Sequence, residues 1–212
     1  ADDGQRLEGP GKLTRLTLDD GVEKGREGLG SIYVWAGGNG RVMDDNLNYD
    51  GYANSRFTIA VGAVDYLGHQ ARYSEPGAPM LITAPSSSSD AGICTTDLLQ
   101  SDGYESTGNC TRTFGGTSSS APLVSGIIAL MLQANPDLSW REVQSILMRS
   151  TVKNDPDDAD WMRNGAGRWV NHKYGFGLID AEQAVNLARS WKGGGRPVSS
   201  DSGVIRVNQE IP

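Results

Sequence analysis

The chain has 212 residues, of which 37% are hydrophobic, and it carries a net charge of −7. This composition predicts one sizeable folded domain and argues against intrinsic disorder. The acidic balance argues against nucleic acid as a partner, because a nucleic-acid-binding protein presents a basic face, and it permits a cationic substrate. No apolar run approaches the roughly 18 residues of a membrane span, so we expect no such span.

The first half of the chain predicts one helix and three buried strands. The helix covers 12–26 and ends near Gly28, and the strands cover 31–36, 57–64 and 79–84. The strand segments are apolar and bounded by glycine or proline, which is typical of strands buried in a sheet. We expect residues 86–115 to form a long polar loop.

The second half predicts three helices. The first opens at Thr117, and Pro122 places its start close to Ser118, since only the first turn of a helix needs no backbone N–H donor. Ser139 and Asp180 are predicted N-caps of the other two helices. Helices that alternate with buried strands predict an α/β fold with a largely parallel sheet.

Residues 115–122 read Gly-Gly-Thr-Ser-Ser-Ser-Ala-Pro and precede an apolar stretch. The start of a helix is locally positive and carries unpaired N–H groups, so a serine there is suited to attack a carbonyl and to stabilise the oxyanion that forms. Ser118, Ser119 and Ser120 are all candidates for the nucleophile. The alternative is that the serines cap the helix or lie in a linker.

Residues 116–122 resemble the G-T-S-x-x-x-P signature around the nucleophile of subtilisin-like serine proteases, and residues 36–40 resemble their oxyanion-hole segment. Further segments resemble the kexin/furin branch of that family; they are residues 2–4, 32–36, 48–55, 73–75, 138–144 and 172–181. The resemblance implies a subtilisin-like three-layer α/β fold with a mostly parallel sheet, present here in its C-terminal part. It assigns residues 1–191 to the catalytic domain, 192–203 to a linker and 204–212 to the start of a β-sandwich P domain.

The resemblance also implies roles for individual residues. Ser118 would be the nucleophile, and Asn39 would be the side-chain donor of the oxyanion hole. Judged by its surroundings alone, Asn39 is a turn residue in a glycine-rich loop.

A set of acidic residues matches two further sites of the kexin/furin branch. Asp2, Asp45 and Glu75 fall at positions that ligate Ca²⁺, which prefers carboxylate oxygens. Asp50 and Asp2 match the pocket for a substrate Lys or Arg at P1, and Glu8 matches an acidic contact for a basic P4 residue. Without the resemblance, these side chains are solvated loop acids.

Several positions depart from the family pattern. Asp44 and Asp45 form a doublet, so either carboxylate is a candidate ligand. Cys110 occupies a half-cystine position of the family, and a longer loop supplies Cys94, which predicts a Cys94–Cys110 disulfide; two free thiols are the alternative. A disulfide suits a secreted or periplasmic protein, or the secretory pathway of a eukaryote, where Asn109 would start a glycosylation sequon.

The family's triad Asp and His lie in motifs upstream of the oxyanion segment, and this chain contains neither motif. His69 is predicted in an exposed loop and His172 in a structural segment. We therefore expect a serine endopeptidase that cuts after basic, preferably paired, residues and needs the N-terminal part of its catalytic domain as a partner, the chain being a fragment or processed product. A propeptide, an inhibitor or a chaperone is a further candidate partner. The alternative is an inactive fragment, stabilised by calcium, that binds basic peptides; a different hydrolase that uses Ser118 with a remote base is a third.

Overall fold

The structure is a computed structural model that describes residues 6–193. Asp2, most of the predicted linker and the predicted start of a P domain at 204–212 lie outside the described residues. All distances and contacts below concern residues 6–193.

Five strands form the main sheet, in the order β1-β2-β3-β9-β6. They are β1 (Tyr33–Ala36), β2 (Thr58–Val64), β3 (Met80–Pro85), β9 (Leu178–Ile179) and β6 (Thr151–Val152). β1, β2, β3 and β9 run parallel, and β6 runs antiparallel to β9. The prediction of a mostly parallel sheet is confirmed, and the three predicted strands lie within one or two residues of their predicted bounds.

The helices are α1 (Lys12–Gly28), α2 (Thr117–Ala134), α3 (Trp140–Arg149) and α4 (Ala181–Ser190). Side chains of α2, α3 and α4 pack with one face of β2 and β3 in the main core, for example Ile59, Ile82, Val124 and Leu147. The opposite face of the sheet carries a second cluster that contains Leu47 from the loop after β1. Every residue of β2 is buried, as expected for a parallel strand covered on both faces.

Local sequence signals explain the helix boundaries. Ser139 Oγ accepts a hydrogen bond from the Glu142 N–H, and the Glu142 carboxylate accepts one from the Ser139 N–H, which completes the predicted capping box. Asp180 caps α4 by accepting a hydrogen bond from the Gln183 N–H. Both predicted caps are confirmed.

Helix α2 corrects the expectation that Pro122 lies in its first turn. It begins at Thr117 as predicted, but Pro122 is its sixth residue, so the missing N–H leaves the Ser118 carbonyl without its usual donor four residues along. By length and composition alone, α2 would be able to cross a membrane, although polar residues interrupt its apolar stretch. Val124 and Met131 are completely buried in the main core, and we therefore describe α2 as a core helix.

The predicted polar loop at 86–115 is wrong in part, because it contains a hairpin. Strands β4 (Ile93–Thr96) and β5 (Cys110–Phe114) pair antiparallel, with Thr96 opposite Cys110. Their mostly exposed side chains mix Thr and Arg with Ile, Cys and Phe, without a hydrophobic alternation that would predict strands.

The structure does not form the predicted disulfide, whose two cysteines both lie in this hairpin. Cys94 and Cys110 are both free and exposed. In the β4–β5 ladder, Cys110 is paired with Thr96, and Cys94 lies two residues before Thr96. The pairing register is irregular between Ile93 and Thr95. Diagonal neighbours in a sheet are about 7–8 Å apart, beyond the Cα separation of about 5.5–6 Å that disulfides favour. A short β7–β8 pair (Met162–Arg163 and Trp169–Val170) completes the described strands.

Candidate active site

The structure separates the three candidate serines by their exposure. Ser118 is exposed, whereas Ser119 and Ser120 are 2% and 0% exposed. Ser119 Oγ donates to the Gly116 carbonyl at 3.0 Å, and Ser120 Oγ donates to the Ala84 carbonyl at 3.1 Å. The two buried hydroxyls are thus bound to backbone, and Ser118 alone of the three is presented to solvent at the start of α2.

The turn before α2 depends on glycine. Gly116 has φ of +75°, a backbone conformation that side chains with a Cβ rarely adopt. A Cβ atom on Gly115 would lie 1.9 Å from Ser87 Oγ, so the chain also passes close to the segment that follows β3. The glycine pair therefore allows the tight entry that exposes Ser118.

A network of hydrogen-bonded hydroxyl groups contacts this turn. Ser86, directly after β3, donates to the Gly116 carbonyl at 2.7 Å and contacts Ser119 Oγ at 2.7 Å. The Tyr73 hydroxyl lies 2.5 Å from Ser86 Oγ and 3.0 Å from Ser87 Oγ. Tyr73 lies in a segment that the sequence analysis identified by resemblance, but Ser86 and Ser87 were not identified, and the run of four serines at 86–89 was their only signal.

Asn39 lies beside the start of α2. Its Oδ1 accepts hydrogen bonds from the Thr117 N–H at 2.8 Å and from Thr117 Oγ1 at 3.1 Å, and Thr117 Oγ1 accepts one from the Gly38 N–H at 3.2 Å. The N–H donor identifies the Asn39 oxygen, so the orientation of the amide is determined. Within residues 6–193 no group accepts a hydrogen bond from Asn39 Nδ2.

The contacts of Asn39 place its side-chain amide beside the start of α2. Asn39 Oδ1 is bound by Thr117, the residue before Ser118. The Ser118 N–H is among the N–H groups without an intrahelical acceptor at a helix start. Asn39 Nδ2 and the Ser118 N–H are therefore candidate donors to the oxygen of a carbonyl group that Ser118 Oγ attacks. This arrangement is the kind of donor pair that stabilises an oxyanion.

Two of the predicted metal ligands, Asp45 after β1 and Glu75 after β2, contact the same residue, Gly40. Asp45 and Glu75 are 5% and 3% exposed, while Asp44 is exposed, which favours Asp45 over Asp44 in the doublet. The Glu75 carboxylate accepts from the Gly40 N–H at 2.8 Å, and the Asp45 N–H donates to the Gly40 carbonyl at 3.2 Å. Both acids therefore lie against the backbone of the residue that follows Asn39.

Buried carboxylates of this kind are compatible with a hard cation, because a buried charge needs a counter-charge or strong hydrogen bonds. Asp45 Oδ1 accepts only the Asn46 N–H, at 2.8 Å, and Asp45 forms no ion pair within residues 6–193. The described residues nevertheless contain no cluster of three or more acidic, histidine or cysteine side chains suited to a metal. The third predicted ligand, Asp2, lies outside them.

The predicted specificity acids are neighbours. Glu8 and Asp50 form a parallel bridge, with the Glu8 N–H donating to the Tyr49 carbonyl at 2.9 Å and the Gly51 N–H donating to the Glu8 carbonyl at 2.6 Å. A Cβ on Gly9 would lie 3.1 Å from the Gly51 Cα, so the two segments cross closely. Asp50 is half-buried and Glu8 is exposed.

Neither histidine lies in contact with Ser118. His69 is exposed in the turn after β2, where its N–H donates to Asp65. His172 is exposed and pairs with Asp160, with 3.0 Å between Nδ1 and the carboxylate. The described part of the chain therefore places no imidazole beside the candidate nucleophile.

Comparison with known proteins finds similar sequences over most of the chain. The profile of the subtilase family, Peptidase_S8, matches residues 4–177. The rat and human proteins "Proprotein convertase subtilisin/kexin" type 6 and type 4 are each 46% identical over 90% of this chain. The chain spans only 20% and 24% of the length of these two relatives.

The fold matches a solved bacterial enzyme. The crystal structure of the serine protease of Aeromonas sobria superposes on 94% of this chain and 43% of its own, with a TM-score of 0.78 at 23% identity. The same protease in complex with its chaperone ORF2 matches 91% of this chain and 42% of its own, also with a TM-score of 0.78 and 23% identity. These likenesses concern the fold.

Proposed function

Since this chain belongs to the subtilase family, we propose that it supplies the nucleophile and oxyanion hole of a serine endopeptidase that cuts after Lys or Arg, preferably in pairs. One observation carries the proposal: Ser118 is the exposed serine at the start of α2, and Thr117 orients Asn39 beside it. Ser118 Oγ attacks the scissile carbonyl, and the acyl-enzyme forms as the amine leaves. Asn39 Nδ2 and the Ser118 N–H stabilise the oxyanion.

A base and an orienting acid must complete this site, and we propose that they come from the N-terminal part of the same catalytic domain. Two features support that partner. Among residues 6–193, β1 has a neighbouring strand on one side only, although its sequence is apolar, and an edge strand presents unpaired N–H and C=O groups that a further strand can bind. Helix α2 likewise exposes Leu123 and Leu130, at 42% and 52%.

We further propose that Asp50 and Glu8, together with Asp2, bind the basic side chains of the substrate. Carboxylates pair with guanidinium by charge and by bidentate geometry. The close crossing of the Glu8 and Asp50 segments supports a shared acidic surface. It also suits an extended peptide, because Glu8 and Asp50 lie on adjacent backbone segments.

Calcium is the cofactor we propose, held by Asp45, Glu75 and Asp2 with backbone carbonyls or water. When bound, the ion would neutralise carboxylates and stiffen the loop that carries Asn39. Asp45 and Glu75 both contact Gly40, the residue after Asn39. They would thereby hold the loop in place from its buried side.

A propeptide, an inhibitor or a chaperone is a further proposed partner, and the chaperone complex of the Aeromonas sobria protease supports this. A secreted, periplasmic or secretory-pathway location remains a proposal that rests on the family resemblance. The second candidate function, an inactive module that binds basic peptides, is favoured by one observation, the position of both histidines away from Ser118.

Labelling with a fluorophosphonate distinguishes the two functions. The full-length protein that contains this chain is treated in the presence of calcium, and the modified residue is identified by mass spectrometry. We expect stoichiometric modification of Ser118, loss of labelling in Ser118→Ala, and retained labelling in the matched control Ser119→Ala. Absence of labelling in the folded wild type would overturn the peptidase and leave the binding module.

Specificity is tested separately with Asp50→Asn. We expect this variant to cleave peptides with Lys or Arg at P1 much more slowly, with little change in folding stability. Equal activity of the variant and the wild type would contradict the assignment of the acidic pocket.

A further inference from the structure

The sequence contains one motif that the proposed active site does not use. Residues 109–111 read Asn-Cys-Thr, and no other Asn-x-Ser or Asn-x-Thr sequence occurs in the 212 residues. This motif is the acceptor sequence for N-linked glycosylation in proteins that enter the secretory pathway. In the fold it stands where β5 (Cys110–Phe114) meets residues 97–109, which connect β4 to β5. We call these connecting residues the hairpin tip.

The side chain of Asn109 is accessible for such a modification. It is exposed, and its amide forms no hydrogen bond with any residue between 6 and 193. The Asp97 N–H donates to the Asn109 carbonyl at 2.9 Å, which fixes the backbone at the base of the hairpin tip. A Cβ atom on Gly108, the preceding residue, would meet no atom within 4 Å. The surroundings of Asn109 therefore have room for a bulky, hydrated glycan.

The third residue of the motif is buried in the folded hairpin. Thr111 is 5% exposed. Its Oγ1 accepts a hydrogen bond from the Thr113 N–H at 3.2 Å and lies 3.0 Å from Thr113 Oγ1. Because the Thr111 hydroxyl is part of the acceptor sequence, an enzyme that recognises the motif needs this hydroxyl before β5 pairs with β4. We therefore expect a glycan to be attached during synthesis, before the hairpin forms.

The hairpin tip also exposes three large apolar side chains. Leu98 and Leu99 are each 65% exposed, and Tyr104 is 88% exposed. Within residues 6–193 these three side chains are left open to solvent. Apolar side chains grouped on a surface mark an interaction site or a tendency to aggregate.

One carboxylate links Asn109 to these apolar residues. Asp97, whose N–H binds the Asn109 carbonyl, accepts the Leu98 N–H on Oδ1 at 2.8 Å and the Glu105 N–H on Oδ2 at 3.0 Å. Glu105 directly follows Tyr104. Asn109, Leu98 and Tyr104 are thus all held near a single side chain. A glycan on Asn109 would cover the apolar residues with a hydrated surface.

The same position leaves the candidate active site open. β5 has five residues between Asn109 and Gly115, and a strand rises about 3.3 Å per residue, so β5 extends for about 17 Å. Ser118 follows the far end of this strand. A glycan on Asn109 is therefore attached away from the candidate nucleophile.

We propose that Asn109 carries an N-linked oligosaccharide, which covers the apolar side chains of the hairpin tip. The co-substrate is an oligosaccharide linked to a polyprenyl diphosphate. Asn109 Nδ2 forms a bond to the anomeric carbon of the first sugar as the bond from that carbon to a diphosphate oxygen breaks. Nδ2 loses one proton to a base of the transferase, and polyprenyl diphosphate is the leaving group. This assignment rests on the proposed secretory-pathway location and is independent of the proposed catalytic roles.

The test uses the full-length protein, produced in eukaryotic cells and collected from their secretory pathway. Treatment with peptide-N-glycosidase in heavy-oxygen water converts a glycosylated asparagine to an aspartate that carries one heavy oxygen atom. Mass spectrometry then locates this label. We expect it at Asn109, and we expect its loss in Asn109→Gln and in Thr111→Val. Thr111→Ser keeps the acceptor sequence and should keep the label.

Asn186→Gln is the matched control, because it makes the same change at an exposed asparagine of α4 outside any acceptor sequence. It should leave the label at Asn109 unchanged. An unlabelled Asn109 in wild-type protein that has passed through the secretory pathway would overturn the glycan alone. Exclusion of the full-length protein from that pathway would overturn the proposed location, and the glycan with it.

The covering role has its own readout. Binding of a fluorescent apolar dye is compared before and after the glycan is removed from the folded protein. We expect removal to increase the dye fluorescence in the wild type, and to change it far less in a variant that combines Leu98→Gln with Leu99→Gln. Equal fluorescence before and after removal in the wild type would contradict the covering role.

Discussion

Asn39 has one observed role, as an acceptor for Thr117, and one proposed role, as an oxyanion donor, and a single substitution separates the two. Its Oδ1 accepts two hydrogen bonds from Thr117, at 2.8 and 3.1 Å, and its Nδ2 is the proposed donor to the oxyanion. Asn39→Asp keeps an acceptor for Thr117 and removes the donor. Asn39→Leu, in contrast, removes both the acceptor and the donor.

The expected magnitudes differ between the two variants. In a subtilisin, a member of the same family, removing one side-chain oxyanion donor lowers kcat about 10²–10³-fold, or about 2.7–4 kcal/mol of barrier. Asn39→Asp should show at least this loss, because its carboxylate also repels the developing negative charge, with folding stability within about 0.5 kcal/mol of the wild type. Asn39→Leu should lose a similar activity and in addition about 1–3 kcal/mol of stability, because the Thr117 N–H is left without its acceptor.

The assay combines steady-state cleavage of a dibasic peptide by the full-length protein with urea denaturation of the same samples. Asn186→Asp, on the exposed side of α4, makes the same chemical change away from the site and should leave both measurements unchanged. A loss of kcat below tenfold in Asn39→Asp, or a loss confined to KM, would refute the oxyanion role. Equal stability of Asn39→Leu and Asn39→Asp would refute the structural role of Oδ1.

Three further predictions concern stability, each measured by denaturant unfolding. Ser139→Ala removes the cap of α3 and should cost about 1 kcal/mol; no change would contradict the capping box. Ile82→Ala, at a completely buried position of β3, should cost about 2–5 kcal/mol, whereas Leu16→Ala, at a position 54% exposed, should cost far less; similar losses would refute the described core. At Asp158, burial raises the pKa but is outweighed by hydrogen bonds from Lys173 and Asn171, which lower it. The wild type should therefore be more stable than Asp158→Asn by the full amount above the ordinary carboxyl pKa of about 4. This difference in the free energy of unfolding should disappear as the pH falls through the lowered pKa of the folded state. A pH-independent difference would contradict the pairing.

The structural features that depend on residues close together in the chain were predicted from the sequence. The Ser139 and Asp180 caps, the start of α2 at Thr117 and the apolar strand segments all follow from contacts within a few residues or from hydrophobic patterning. The motif at 116–122 likewise identified the position of the candidate nucleophile through its likeness to a family. These features can be predicted from a single sequence because their physical causes are local.

Only the tertiary structure decided which atoms meet. Ser118 differs from Ser119 and Ser120 because β3 and the turn after it bury the other two hydroxyls. Asp45 differs from Asp44 because only Asp45 is buried. The β4–β5 register separated the two cysteines that the sequence had suggested as partners.

The orientation of Asn39 shows the reason most directly. Its amide is determined by the N–H of Thr117, a residue 78 positions away in the chain. No local pattern encodes that contact, because it exists only once the end of β1 and the start of α2 lie side by side. The sequence determined that a serine stands at a helix start; the fold determined which serine is exposed and which amide faces it.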